Sequence, residues 1–233
     1  MSAAPLDWDP ASAHIRPIYR VVWRVMRLFS ATWLNWRVLG VEHVPPTGPV
    51  ILAANHVSFA DPPLIGCALP RAISYLARDT LFDQPALGWL IRQLNAVPVD
   101  RDGGGASGLK AILDRLHAGG GIILFPEGTR SPDGRLQPAR SGVGLTVIKS
   151  DAPVVPVRVL GMFEAWPRSR ALPRPGRVTV KFGRPLDFAA LRAEAKVCPK
   201  PRLKAIYQQV TDEIMQSIGR LDAAEEVRRF PPP

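Results

Sequence analysis

A chain of 233 residues, 46% hydrophobic and 21% charged, carries enough apolar material for one sizeable core and too much for a disordered segment. Its cysteines, at positions 67 and 198, exclude a disulfide framework and point to a reducing compartment. The formal net charge of +10 asks for an anionic partner, and with no recognisable nucleic-acid motif or interleaved basic-aromatic array in the core, nucleic acid is the weaker choice against a membrane.

The first expected element is an amphipathic helix over residues 14–36. Arg16, Arg20, Arg24 and Arg27 step along one face, while Ile18, Val21, Val22, Val25, Met26, Leu28 and Phe29 fill most of the rest. Tyr19, Trp23, Trp33 and Trp36 join them. Such a helix lies in a membrane interface, its apolar side inserted and its arginines toward anionic headgroups. The alternative is a helix that packs its apolar face on the domain and solvates its arginines. No uninterrupted apolar run reaches the roughly eighteen residues of a membrane span. Arginines inside the apolar run, and no small-residue cleavage site after it, also argue against a secretory signal.

Val50-Ile51-Leu52-Ala53-Ala54 reads as a buried strand, followed by Asn55-His56-Val57-Ser58-Phe59-Ala60-Asp61. Asp61-Pro62-Pro63 then reads as a helix start. A histidine at a strand end with a carboxylate in reach is the equipment of a general base, the carboxylate fixing the tautomer and stabilising the imidazolium. The same two residues also fit a helix cap beside a satisfied polar side chain, and the pair alone does not choose. Cys67 falls within the apolar run Pro63–Leu69, and Cys198 beside Pro199, both as ordinary thiols.

Gly103-Gly104-Gly105 reads as a flexible link whose spacing fits no nucleotide loop. An amphipathic helix over 107–117 ends at Gly119-Gly120-Gly121 and leads into the strand Ile122-Ile123-Leu124-Phe125. At that strand's end, Pro126-Glu127-Gly128-Thr129-Arg130-Ser131 makes a plausible anion site. Gly128 allows backbone approach, Thr129 and Ser131 bring hydroxyls, and Arg130 supplies a planar, permanently charged fork. The turn composition of Ser131-Pro132-Asp133-Gly134 also fits a plain surface turn. Further strands are expected at 154–159 and 178–182, and helices at 187–195 and 203–221. The alternation predicts an α/β fold, a single domain with a mixed or largely parallel sheet flanked by helices. The expected organisation is an N-terminal amphipathic, membrane-associating helical segment over 1–37, the main domain over 38–222, and a disordered tail over 223–233.

Four segments together resemble the glycerolipid acyltransferase family, the 1-acyl-sn-glycerol-3-phosphate acyltransferases and their relatives. Asn55-His56 with Asp61 matches the family's first block, and Val97-Pro98-Val99-Asp100-Arg101 looks like the second. Phe125-Pro126-Glu127-Gly128-Thr129-Arg130-Ser131 matches the third at every position, and Ala152-Pro153-Val154-Val155-Pro156-Val157 resembles the fourth. The blocks fall in order and cover roughly residues 38–185. One departure is Ala139-Arg140-Ser141-Gly142, where relatives often carry phenylalanine and lysine before the glycine.

The resemblance implies an O-acyltransferase moving a fatty acyl group from acyl-CoA or acyl-carrier protein to the free hydroxyl of a lysophospholipid. The first acceptor it implies is 1-acylglycerol 3-phosphate, giving phosphatidate. The alternatives are the same chemistry on another lysolipid such as a lyso-ornithine lipid, or a non-catalytic lipid-binding protein. It implies His56 as general base with Asp61, and a substrate-phosphate site of Arg101, Glu127, Gly128, Thr129 and Arg130. Glu127 either orients Arg130 or meets the acceptor's glycerol. No metal is implied, and no cofactor beyond the acyl donor as co-substrate. The expected location is the cytoplasmic face of an anionic membrane, peripheral or monotopic. The chemistry needs a base and a stabilised oxyanion but no covalent intermediate, consistent with a chain that has no glycine-x-serine-x-glycine elbow.

Overall fold

The computed structural model describes residues 17–99 and 106–222. Arg16, Arg101, the glycine link at 103–105 and the expected tail lie outside them. The described residues form one sheet from β1 (Arg37–Leu39), β2 (Val50–Ala54), β3 (Ile73–Arg78), β4 (Ala96–Val99), β5 (Gly121–Leu124), β6 (Val154–Leu160) and β7 (Thr179–Phe182). Its order is β1-β7-β6-β2-β5-β3-β4, parallel at every pairing except the antiparallel β6–β7. This is the single α/β domain with a largely parallel sheet that the alternation predicts. β2 is covered on both faces, with Val50, Ile51, Leu52, Ala53 and Ala54 each 0% exposed. Its sequence is therefore a continuous apolar run rather than an alternating one.

The pleat divides β2 between two cores. Val50, Leu52 and Ala54 pack with Leu64 and Ile65 of α2 (Asp61–Ala68). Ile51 and Ala53 pack with Ile206, Val210, Ile214 and Ile218 of α8 (Lys200–Arg220). α4 (Ala106–His117) and α5 (Gly142–Lys149) add Ile112 and Val147 to the α8 side. Any side chain at Gly144 would strike the Tyr207 carbonyl, so α5 and α8 meet almost backbone to backbone. α3 (Pro85–Gln93), α6 (Met162–Ala165) and α7 (Ala189–Ala195) complete the helices.

The N-terminal helix α1 spans Pro17–Thr32, shorter than the expected 14–36. The Thr32 hydroxyl donates back to the Leu28 carbonyl at 2.8 Å, and Asn35 turns the chain with φ 37°. Trp33 and Trp36 therefore lie beyond the helix. One face of α1 packs on α2: the Trp23 indole N–H donates to the Leu69 carbonyl at 3.0 Å and Arg27 donates to the Cys67 carbonyl at 3.0 Å. The Arg27 guanidinium lies over the rings of Trp23 and Trp36, 4.7 and 5.6 Å from their centroids. Arg27 and Trp23 thus belong to the packed face, a departure from the stripe the sequence suggests, because a buried carbonyl row on α2 offers them partners. The outer face keeps Arg20 and Arg24 beside Val21, Val25 and Leu28, which are 53%, 59% and 66% exposed.

Candidate active site

β2 and β5 are neighbours, and the register Ala53↔Leu124 sets their C-terminal ends level. The chain leaves β2 into α2 on one face of the sheet and leaves β5 toward α5 on the other. Diverging connections of this kind open a crevice at the strand ends, where α/β sheets place their sites.

The first wall follows β2. Asn55 ends the strand by clamping β6: its amide donates to the Val159 carbonyl at 3.0 Å and accepts the Val159 N–H at 2.7 Å. His56 follows, its Nδ1 2.8 Å from Asp61 Oδ2. The same oxygen accepts the backbone N–H of Val57 at 2.7 Å and of Ser58 at 2.8 Å. The Asp61 carboxylate therefore serves the loop before α2 rather than the helix's own amides, and α2 has no side-chain cap. Because that oxygen accepts, Nδ1 is the donor in this contact, which leaves Nε2 outside it. Asp61 is fully buried, whereas the imidazole keeps 14% exposure. Phe125 stacks on the ring, centroids 3.9 Å apart and planes 19° from parallel, so the imidazole is held on one side by a hydrogen bond and on another by packing.

The second wall follows β5. Gly128 N–H donates to the Phe125 carbonyl at 2.9 Å in a tight turn, and Gly128 itself has φ +69°, a conformation costly to other residues. Ser131 N–H donates to the His56 carbonyl at 2.7 Å and ties the two walls together. Ser131 is 0% exposed, its hydroxyl engaged with the Asp133 carboxylate and the Arg135 carbonyl, so it offers nothing to the cleft. Glu127 is also buried. Its Oε1 faces the His56 N–H at 3.4 Å, and burial pushes its carboxyl up to about 7, against the pull of that amide and of Arg158.

Between the walls lies a cleft of about 480 Å³ lined by His56, Thr129 and Arg130 together with Arg78, Thr80 and Arg168. Of the site residues expected from sequence, His56, Asp61, Thr129 and Arg130 come together here. Gly128 shapes the turn, Glu127 lies beneath His56 rather than in the cleft lining, and Arg101 is outside the described residues. Sequence reasoning missed Arg78, Arg168 and the clamping role of Asn55. Arg78 ends β3, which pairs with β5, so strand order alone brings it near; Arg168 has no local signal at all. A second cavity of about 500 Å³, mostly apolar, is lined by residues including Leu109, Ile112, Phe125 and Val143, and shares Leu76 with the cleft. Cys67 is buried away from the cleft, its thiol pushed up to about 12, as suits an unreactive core residue.

The Acyltransferase family model matches residues 35–160, more than half the chain and every residue of the two walls. The chain belongs to the acyltransferase family. This family member is 29% identical over 190 residues to the 1-acyl-sn-glycerol-3-phosphate acyltransferase of Bacillus subtilis, covering 80% of this chain and 89% of that one. It is 29% identical over 153 residues to a chloroplastic 1-acyl-sn-glycerol-3-phosphate acyltransferase of Brassica napus, covering 64% of this chain. It spans just 44% of that plant relative's length. Among solved structures it resembles PlsC, the 1-acyl-sn-glycerophosphate acyltransferase of Thermotoga maritima, with TM-score 0.64 and 28% identity. That match covers 88% of this chain and 81% of the other. Among the described residues, no helix of this acyltransferase is long and apolar enough to cross a membrane.

Proposed function

We propose that the protein acylates the free hydroxyl of a lysophospholipid, with 1-acylglycerol 3-phosphate as acceptor and phosphatidate as product. The observation that carries this reading is the His56–Asp61 pair, with Nε2 free beside a cleft lined by Arg130. His56 Nε2 takes the proton from the acceptor hydroxyl as its oxygen attacks the thioester carbonyl. Asp61 stabilises the imidazolium that forms. The tetrahedral intermediate then expels the thiolate, which takes the proton back from His56, leaving an ester and a free thiol. Arg130 supplies a bidentate hold on the acceptor's phosphate, and that hold positions the hydroxyl.

The donor is acyl-CoA or acyl-carrier protein. Its chain is assigned to the apolar cavity of about 500 Å³ next to the cleft. A sixteen-carbon chain costs roughly 12 kcal/mol to expose to water, so enzyme and lipid are expected to meet at a surface. The outer stripe of α1, with Arg20 and Arg24 beside exposed Val21, Val25 and Leu28, supports peripheral attachment to the cytoplasmic face of an anionic membrane. The test is an acyl-transfer assay in lipid micelles with both donors and a panel of lysolipids that includes a lyso-ornithine lipid. His56→Ala is expected to cost about a hundred- to ten-thousand-fold in turnover while its circular dichroism stays unchanged. Wild-type turnover in the folded variant would remove the general-base assignment.

A further inference from the structure

Phe59 takes no part in the chemistry derived so far, yet it stands in the catalytic loop between His56 and Asp61. Its side chain lines the cleft with His56 and still leaves the residue 51% exposed. The ring meets Trp166 edge-on, centroids 4.5 Å apart and planes at 75°. Trp166 in turn meets Phe29 of α1 at 6.4 Å. An aromatic path thus runs from the cleft to α1, where Val25 and Leu28 are exposed. Leu81, 37% exposed, adds a second apolar group to the cleft lining, beside Pro62. Leu76 and Ala77 of β3 add further apolar lining, and Tyr75, Arg78, Thr80, Thr129, Arg130 and Arg168 supply the hydroxylic and cationic groups.

One cleft with both kinds of lining suits an amphiphile. In a 1-acylglycerol phosphate, the carbon bearing the free hydroxyl lies between the carbon that carries the acyl chain and the carbon that carries the phosphate. With the hydroxyl at His56, chain and phosphate must therefore leave in different directions. The arginines account for one direction. A half-exposed ring accounts for the other, since a chain lying on it removes apolar surface from water.

We propose that Phe59, backed by Trp166, is the sill on which the acceptor's own fatty acyl chain rests as it passes from the lipid surface at α1 into the cleft. This inference rests on the proposed acceptor class and assigns the chain of that same substrate. Phe59 is then a specificity residue: it separates lysolipids with long chains from those with short ones, and leaves the proton transfer to His56.

Kinetics against acceptor chain length provide the first test. Phe59→Ser should raise KM for a 1-hexadecanoyl acceptor about tenfold, equivalent to about 1.4 kcal/mol, and change kcat by less than about twofold. KM for a 1-butanoyl acceptor should stay within about twofold of wild type, and Phe59→Leu should recover most of the long-chain affinity. An equal rise for both acceptors, or a loss confined to kcat, would overturn the sill. The second test needs no turnover: the wild-type protein is photolabelled with a lysophosphatidate carrying a diazirine near the start of its chain, and adducts are mapped by mass spectrometry. Label on Phe59, Trp166 or Leu81 is expected, whereas label confined to Leu109, Ile112 or Val143, or found anywhere else, overturns the proposal. Label on Phe59 without any acyl transfer would remove the proposed reaction and leave the sill. Transfer with label elsewhere would do the reverse.

Discussion

The two strand-end loops that make the cleft are held in opposite ways. His56–Asp61 closes on itself: one carboxylate oxygen gathers a ring N–H and two backbone amides, all from within five residues. Phe125–Ser131 has one turn bond of its own, Gly128 to Phe125. Its other ties run to the first loop, from Ser131 and Glu127 to His56, and to the chain that follows it, from Pro126 to Arg140 and from Ser131 to Asp133 and Arg135. The histidine–aspartate pair is thus built locally, whereas the second wall takes its shape from the segments around it. Damage to the first loop should therefore strike chemistry and fold together, and damage to the second should show mainly in substrate affinity or pH behaviour.

Asp61→Asn should produce the largest effect apart from loss of the histidine itself. An amide can still accept the Val57 and Ser58 amides, but it no longer stabilises an imidazolium, so kcat should fall about a thousandfold or more. Stability should drop by about 1–3 kcal/mol because the site is fully buried. Paired kinetics and chemical denaturation measure both. Lost stability with kept activity would show that the carboxylate only organises the loop.

Arg130→Ala tests the other loop. The acceptor specificity constant should fall about ten- to hundredfold, as expected for a charge-assisted hydrogen bond, with the donor's constants little changed. Arg130→Lys should restore part of the loss, because an ammonium lacks the fork. A loss confined to the donor would move this arginine to the donor's phosphates.

Glu127 sharpens the contrast through pH. Its carboxyl titrates near 4.5 in an open chain and about 7 in the fold, so the folded state binds the extra proton in between. The stability this group contributes is full below about 4.5 and is lost as pH rises through about 7. Glu127→Gln removes the buried charge. The variant should be more stable than wild type at pH 8, by about 1–3 kcal/mol, and should lose that advantage toward pH 5. Thermal unfolding of both proteins across this range decides it, and a constant difference would mean that Glu127 stays ionised throughout.

The smallest expected effect lies on α1, where two faces of one helix repeat the contrast between packing and binding. Neutralising Arg20 and Arg24 should weaken attachment to anionic vesicles by about fivefold per arginine, and the residual binding should respond less to salt. Arg27→Gln should instead lower stability, since Arg27 holds the Cys67 carbonyl. Vesicle flotation across a salt series, alongside unfolding curves, separates the two faces. Equal flotation of all variants would place the attachment elsewhere.

Legibility in sequence followed the range of each interaction. The strands at 50–54, 121–124 and 154–160 announce themselves by apolar runs, that at 179–182 by alternation, and α4 and α8 by their periodicity. β1 is three residues long, β3 (Ile-Ser-Tyr-Leu-Ala-Arg) alternates weakly, and α5 opens with two glycines, so none of them stands out from the chain alone.

What the sequence by itself determined is the α/β class, the paired histidine and aspartate, and the turn of glycine, threonine and arginine after β5. These depend on contacts a few residues apart, or on burial that leaves a compositional trace. What the tertiary structure alone decided is the company those residues keep. Strand order brings Arg78 to the cleft, turns Glu127 under the His56 amide and sets Phe125 against the imidazole, and the turn after α6 adds Arg168. It also divides α1 into a face committed to α2 and a face left open. Such partners come from strands far apart in the chain, and pairing across a sheet is fixed by packing of the whole core rather than by any local pattern.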